Sequence, residues 1–238
     1  MKHWTRLLMR TRLSLDKENM IWNMSGSFFY AFASMVLSFL VLRVAGEEQG
    51  GIFSFGFSTV GQQMFLLAYF GIRPFHITDG TNQYRFGDYL HHRYVTCAMA
   101  LLLGAGYLAC IGYSWQKAQI IFLLIVYKVI DGFADVYESE FQRQGCLYLT
   151  GKSNFFRTVF SVAVFTVTLG AFKHLLFACL MAVAAQAMGV FLFNLDVIHA
   201  LDGVDWTFTK GKVTKLFKNT GFLFISVFLD FYIFSSAK

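Results

Sequence analysis

Charged residues and proline are both scarce in this 238-residue sequence. Charged residues make up 14% of the chain and there is 1 proline, whereas a soluble domain carries roughly 25% charged residues. So few charges cannot cover a surface in water, which excludes an ordinary soluble domain. The single proline also excludes a loop-rich or disordered protein. The cysteines predict no disulfide framework, because Cys97, Cys110 and Cys179 lie in apolar runs and Cys146 lies in a predicted cytosolic loop.

What the sequence does contain is long apolar runs. Hydrophobic residues make up 56% of the chain and the mean hydropathy is +0.53. Seven runs approach the roughly 20 residues that a helix needs to cross the hydrocarbon core. They have no period-2 alternation, which a membrane β-barrel would require. The sequence therefore predicts an all-α, polytopic membrane protein with helices at 20–42, 51–72, 94–115, 118–137, 155–172, 175–193 and 220–234.

The basic residues between the runs predict the orientation of the chain. Lysine and arginine are concentrated in cytoplasmic connections of membrane proteins. Here 15 of the 20 Lys and Arg residues fall on one side of the predicted spans, including Arg93 and also Arg157, which lies in the first turn of its span and is counted with the connection before it. A further 4 fall on the other side, and Lys128 lies near the middle of a span. The N-terminus is therefore predicted to be cytoplasmic. Since the excess of base over acid follows topology, no nucleic-acid partner is predicted.

The runs and the connections divide the chain into four parts. We predict a basic cytoplasmic segment at 1–19, a six-helix lobe at 20–193, a basic cytoplasmic loop at 194–219 and a seventh helix at 220–238. Within the first segment, apolar and basic side chains alternate. This segment either lies along the inner leaflet or forms a disordered basic tail. The apolar and basic residues of this segment are Trp4, Arg6, Leu7, Leu8 and Arg10.

Charged side chains inside the fourth predicted helix are the most informative feature. Lys128, Asp131 and Asp135 recur at helical spacing and share one face. A charge at a helix centre costs about 2.5–3.5 kcal/mol on insertion scales, so these groups are expected to face the interior of the bundle. Lys128 and Asp131 are either a self-neutralising pair or a cavity cation with its orienting carboxylate. Gln62, at the midpoint of the second helix, either forms a hydrogen bond to another helix or lines a polar path.

Two sequence motifs that suggest catalysis fail on inspection. Segment 151–153 resembles the end of a phosphate-binding loop, but Cys146 occupies the position where that loop needs a glycine. Segment 131–145 resembles the metal-binding signature of CDP-alcohol phosphotransferases, but its two later aspartates are replaced by Leu149 and Ser153. We therefore predict no metal site, no cofactor and no catalytic residue.

Four segments, taken in order and spacing, resemble a known family. They read NMSG at 23–26, LRVAGEEQG at 42–50, FGIRPF at 70–75 and DGFADVYESEFQRQG at 131–145. This pattern resembles polysaccharide-transporter-type flippases, which belong to one superfamily with lipid II flippases and multidrug and toxin extrusion transporters. The resemblance implies translocation of a polyprenyl-pyrophosphate-linked oligosaccharide across the bacterial inner membrane, in O-antigen or capsule biosynthesis.

The resemblance also implies roles for particular residues. A flippase of this kind needs a polar, cationic cavity for the diphosphate, and the candidate cations are Lys128, Arg43 and Arg73. Gln62 and Asp131 are the candidate partners of these cations. Two further carboxylates are compatible with ion coupling, namely Asp135 and Asp230.

Members of the family have two six-helix lobes, and this sequence resembles the first. The expectation is therefore a truncated copy that is inactive alone or works by pairing with a second lobe or a second copy. Two alternatives stay open at the level of the sequence. One is a membrane-embedded phosphotransferase or acyltransferase of glycan or lipid synthesis, with Asp131 as its essential carboxylate. The other is a non-functional fragment.

Overall fold

A computed structural model describes residues 3–81 and 83–236, with side chains for 5–81 and 83–233. Every regular element in this part of the chain is helical, which confirms the predicted all-α class. Lys2 and Lys238 of the charge count lie outside the described residues. The helices are α1 (His3–Met9), α2 (Leu15–Ser54), α3 (Gly61–Tyr69), α4 (Ile72–Thr78), α5 (Phe86–Ile111), α6 (Trp115–Arg143), α7 (Leu147–Phe172), α8 (Leu175–Val190), α9 (Asp196–Ile198) and α10 (Lys210–Ser236).

Several of these helices are suited to a lipid environment. Within the described residues, five helical stretches are long and apolar enough to cross a membrane. In the first stretch a π-helical segment at Phe55–Val60 joins α2 to α3, and α4 follows α3 after a bend. The fourth stretch extends α8 through a π-helical segment at Phe191–Leu195. The chain is accordingly a multi-pass membrane protein. The five stretches are Leu15–Thr78, Phe86–Ile111, Leu147–Phe172, Leu175–Ile198 and Lys210–Ile233.

The first of these stretches folds back on itself at Gly46. Gly46 has φ 87° and ψ 175°, a conformation that a glycine adopts without steric cost. A Cβ atom built at Gly50 would lie 3.1 Å from the Cα of Leu42, whereas eight residues of straight helix span about 12 Å. The chain therefore reverses here. This turn separates the two runs that the sequence predicts as the first and second helices.

Helix α6 occupies the centre of the bundle and is longer than its apolar run. It packs against α3, α4, α5, α7 and α8. Its 29 residues extend about 43 Å, past the predicted end at residue 137. The connection predicted at 138–154 is consequently helical except at 144–146. The polarity of this stretch reflects contacts inside the bundle and not a solvated loop.

A sharp bend separates α3 from α4. Phe70 and Gly71 both have left-handed backbone conformations, with φ values of 53° and 62°. This region costs a non-glycine residue roughly 1–2 kcal/mol, and the ring of Phe70 is held there by stacking on Phe224 of α10, with the ring centroids 4.6 Å apart. Pro74 is accommodated because it lies in the first turn of α4, where its missing N–H has no helical partner. The bend aims the start of α4 toward α6.

The carboxylate of Asp79, directly after α4, binds groups that lie before and within α5. Asp79 accepts hydrogen bonds from the backbone N–H groups of Gln83 and Tyr84, each at 3.0 Å, and from the Tyr89 hydroxyl at 3.0 Å. Partial burial alone would raise the pKa of Asp79, but these three donors outweigh it and lower the pKa. Asp88, in the first turn of α5, accepts from the N–H of Thr209 at 2.7 Å. The start of α5 is therefore tied to the segment before α10.

Helices α2 and α7 approach each other backbone to backbone. A Cβ atom at Gly151 would lie 2.2 Å from the carbonyl carbon of Trp22, and one at Gly26 would lie 2.7 Å from the carbonyl oxygen of Gly151. Glycine at these two positions is thus a steric requirement of the crossing. This explains the glycine in segment 151–153, which the sequence shows is not a phosphate loop.

The first prediction tests this crossing. Gly151→Ala places a methyl group where backbone atoms of α2 already lie, so the helices must separate. We expect the substitution to destabilise the protein by roughly 1–3 kcal/mol, measured as a lower midpoint of thermal unfolding in detergent. Gly106→Ala in α5 is the matched control, because a Cβ there meets nothing within 4 Å. Equal melting temperatures for the two variants would contradict the proposed contact.

Candidate functional site

One face of α6 carries a stripe of buried charged side chains. Lys128, Asp131, Asp135 and Glu138 follow one another at spacings of three, four and three residues, which places them along a single face of the helix. All four are buried, with exposed fractions of 3% to 7%. Their burial confirms that they face the interior of the bundle. Charged groups so deeply buried require partners from neighbouring helices.

Arg157 of α7 is the main partner of this stripe. Its guanidinium donates to a carboxylate oxygen of Asp131 and to one of Glu138, both at 2.6 Å, and to the side-chain oxygen of Asn194 at 3.1 Å. Arg157 is 2% exposed. A Cβ atom at Gly189 of α8 would lie 2.7 Å from the Cγ of Arg157. The absence of a side chain at Gly189 therefore leaves room for the arginine.

Two further arginines hold Asp135. Arg73 of α4 donates to one carboxylate oxygen at 2.5 Å, and Arg93 of α5 donates to the other at 2.8 Å. Arg93 also donates to the carbonyl oxygen of Ala68 at 2.6 Å, near the end of α3, where helical carbonyls lack helical donors. The bend at Phe70 places the Ala68 carbonyl beside Arg93 and places Arg73 beside Asp135. Asp135 therefore fixes α3, α4 and α5 against α6.

Lys128 differs from these arginines because no carboxylate holds it among the described residues. Its ammonium donates to the Tyr30 hydroxyl at 3.0 Å and to the side-chain oxygen of Gln62 at 3.4 Å. It also lies 4.1 Å from the ring centroid of Phe57. The self-neutralising pair of Lys128 with Asp131 is not formed, because Asp131 binds Arg157 instead. Lys128 is thus a buried cation bonded only to neutral groups.

A polar cavity of about 170 Å³ lies between these groups. It is open at the surface of the helix assembly, and both carboxylates and guanidinium groups line it. Of the candidate residues, the structure brings Arg73, Asp131, Gln62 and Asp135 to this one cavity, and Lys128 lies directly behind it through its bonds to two lining residues. The lining consists of Tyr30, Gln62, Phe65, Arg73, Asp131, Asp135, Glu138, Asn154 and Arg157.

Two candidate residues lie elsewhere. Arg43 is exposed near the Gly46 turn, about 20 Å along α2 from Tyr30, so the structure does not place it in the cavity. Asp230 is exposed on α10, whereas Asp135 is held by two arginines. A role in ion coupling stays a prediction for both aspartates.

Residues that sequence reasoning missed supply half of the network. Arg93 and Arg157 are counted above as cations of cytoplasmic connections, but both are at most 2% exposed and lie inside α5 and α7. Glu138 lies beyond the predicted end of its span. The sequence does contain a signal for Glu138, because Asp131, Asp135 and Glu138 continue one helical period across that predicted end. An acidic helical face of this kind indicates cationic partners on its neighbours.

The carboxylates of the network are committed to these partners. Asp131 also accepts from the side-chain amide of Gln186 at 3.3 Å, and Glu138 accepts from that of Asn194 at 3.4 Å. In the part of the chain that the structure describes, no group of three or more His, Cys, Asp or Glu side chains could hold a metal ion. The carboxylates of the network are therefore bound by arginines and amides of the neighbouring helices.

The second prediction concerns the centre of the network. Arg157→Leu leaves Asp131 and Glu138 buried without their shared cation, and breaking a buried pair in this way costs roughly 3–5 kcal/mol. We expect a large drop in the thermal unfolding midpoint in detergent. Lys218→Leu, which removes an exposed cation of α10, is the control and should leave the midpoint nearly unchanged. A wild-type midpoint for Arg157→Leu would show that the network does not stabilise the fold.

No protein-family model, curated protein or solved structure matches this chain. Its function is therefore inferred from its own residues: a multi-pass, all-α membrane protein with a polar cavity beside a buried ammonium group.

Proposed function

We propose that this chain forms one lobe of a flippase that translocates polyprenyl-pyrophosphate-linked oligosaccharide during bacterial surface polysaccharide synthesis. The observation that carries the proposal is Lys128, a buried cation bonded only to neutral groups and lying behind an open polar cavity. The sequence motifs that resemble oligosaccharide flippases support it independently. Two of these four motifs supply residues that line the cavity, namely Arg73 from segment 70–75, and Asp131, Asp135 and Glu138 from segment 131–145.

The charge balance around the cavity favours an anionic ligand. Lys128, Arg73, Arg93 and Arg157 carry four positive charges, whereas Asp131, Asp135 and Glu138 carry three negative charges. One positive charge is therefore left over among side chains that are mostly buried. A buried charge without a counterion is unfavourable, and a diphosphate entering the cavity would supply the counterion. The polar side chains around it would replace part of the water that the diphosphate and the first sugars lose.

One lobe supplies one wall of a transport pathway. In the proposed mechanism a second lobe, either another segment or another copy of this chain, faces the Lys128 cavity and encloses the cargo. Alternating access then arises when the two lobes rock about the bound diphosphate. Arg43, exposed near the turn at Gly46, is proposed to meet the diphosphate at the opposite membrane face.

The proposal includes an orientation and a location. The fold-back at Gly46 divides the first apolar stretch into two arms, and α6 is long enough to cross beside them. These three segments and the other four stretches give seven crossings, with the N-terminus in the cytoplasm and the bacterial inner membrane as the location. The connection between α4 and α5 then lies in the cytoplasm, and the connection between α5 and α6 lies outside.

The third prediction tests this orientation by labelling in spheroplasts. In a Cys110→Ser, Cys146→Ser background, Gly80→Cys precedes α5 and Gln116→Cys follows it, and both positions are exposed. An impermeant maleimide should modify Gln116→Cys in intact spheroplasts and Gly80→Cys only after permeabilisation. Ready modification of Gly80→Cys in intact spheroplasts would overturn the orientation and the flippase proposal with it.

The fourth prediction tests the role of Lys128. Lys128→Gln removes the charge but keeps hydrogen-bonding groups near Tyr30 and Gln62. A hydrogen bond to a charged group contributes roughly 1.5–3 kcal/mol, so we expect binding of polyprenyl pyrophosphate to the purified protein to weaken by roughly tenfold to a hundredfold, measured by native mass spectrometry. Lys117→Gln is the control, because Lys117 lies at the other end of α6, over the ring of Tyr113.

The same pair of variants separates binding from folding. Both proteins should show similar circular dichroism and similar elution on size exclusion. Unchanged affinity for polyprenyl pyrophosphate in Lys128→Gln would refute the cavity assignment. A comparable loss in Lys117→Gln would show that the effect follows net charge and not the site.

A further inference from the structure

A second and larger cavity, of about 590 Å³, lies beside the N-terminal segment. Its apolar walls come from four parts of the chain: Leu7 and Leu8 of α1, Trp22 of α2, Phe156 of α7, and Phe193 of the π-helical segment after α8. It lies on a different face of α7 from the Lys128 cavity, with which it shares no lining residue. None of the roles proposed above uses it.

The segment after α1 is fixed in place by two buried charges. Lys152 of α7 is 5% exposed, and its ammonium donates to the carbonyl oxygens of Leu8 and Arg10, both at 2.9 Å. Glu18 of α2 is also 5% exposed, and it accepts from the backbone N–H groups of Arg12 at 2.8 Å and Leu13 at 3.2 Å. The rim of the cavity is thus pre-organised by bonds to the backbone, which leave the arginine side chains unengaged.

Two arginine side chains form this rim. Arg10 and Arg12 both line the cavity and are both exposed. Neither guanidinium bonds to any residue that the structure describes. Lys152 and Glu18 balance each other's charge, with the two groups 3.9 Å apart. The rim therefore presents two uncompensated positive charges directly above an apolar interior.

The position of the cavity along the bundle matches the lipid headgroup layer. The apolar run of α2 begins at Met20, so the rim residues precede this run and Trp22 lies in its first turn. Tryptophan is enriched at this boundary in membrane proteins. The charged rim matches the phosphate of a phospholipid, which lies at the membrane surface. The apolar walls below the rim match its acyl chains.

We propose that this cavity binds one anionic phospholipid of the surrounding leaflet. The lipid phosphate is held by Arg10 and Arg12, and an acyl chain packs against Trp22, Phe156 and Phe193. Charge complementarity selects an anionic lipid, because a zwitterionic headgroup would bring a third cation to a rim that already has two. The bound lipid would fix α1 along the membrane surface, which is the first of the two possibilities that the sequence leaves open for this segment.

The experiment uses the full chain, purified and delipidated in detergent, with lipid retention measured by native mass spectrometry. We expect one phosphatidylglycerol to be retained per chain and no phosphatidylcholine. A basic side chain near a membrane surface contributes roughly fivefold to anionic-lipid affinity. Arg10→Gln with Arg12→Gln should therefore lower retention by roughly thirtyfold. The matched control is Lys215→Gln with Lys218→Gln, two exposed cations of α10, and it should retain the lipid as wild type does.

Two further measurements test the apolar wall and the charged rim separately. Leu7→Ser, at a side chain that is 56% exposed, should lower retention without unfolding the protein, because it removes apolar wall and no charge. Inorganic phosphate should not displace the lipid if both parts of the cavity contribute to binding. Equal retention of phosphatidylcholine, equal loss in the Lys215 and Lys218 control, displacement by phosphate, or preferential retention of a polyprenyl phosphate would each overturn the proposal. None of these outcomes bears on Lys128, which lies in the other cavity.

Discussion

The ion pairs between the acidic face of α6 and three arginines determine how this bundle is assembled. A charge inside a membrane helix is costly unless a partner meets it, and here α4, α5 and α7 each contribute one arginine to α6. Arg157 bonds two carboxylates at once, and Asp135 is shared by two arginines. These contacts set the positions of α4, α5 and α7 around α6. The polar cavity is the space that they leave between them.

The sequence predicts those features of the architecture that depend on the residues of one helix or one connection alone. The fold class and the multi-pass membrane character follow from the apolar runs. The common face of Lys128, Asp131 and Asp135 follows from helical spacing alone. The turn between the first two runs falls at a glycine, Gly46, where the hydrophobic pattern already changes. Each of these inferences needs only local geometry, and the structure confirms each of them.

The partners of these charges could not be read in the same way. Arg93 and Arg157 lie at the edges of predicted spans, and hydropathy does not distinguish a side chain bonded inside a bundle from one dissolved in water. The left-handed conformation of Phe70 is equally hidden, because it depends on stacking against Phe224, far along the chain. The pairing of Lys128 with Asp131 failed for the same reason: a closer partner, Arg157, comes from another helix. Sequence periodicity locates a charged face but does not identify its partners.

The polarity of α6 has a consequence for biogenesis. This helix is not among the stretches apolar enough to cross a membrane alone within the described chain, yet it lies at the centre of the bundle. Its acidic face becomes compatible with lipid only when Arg93 precedes it and Arg157 follows it. In the proposed topology, in which α6 crosses the membrane, we expect the translocon to hold α5, α6 and α7 together until these ion pairs have formed.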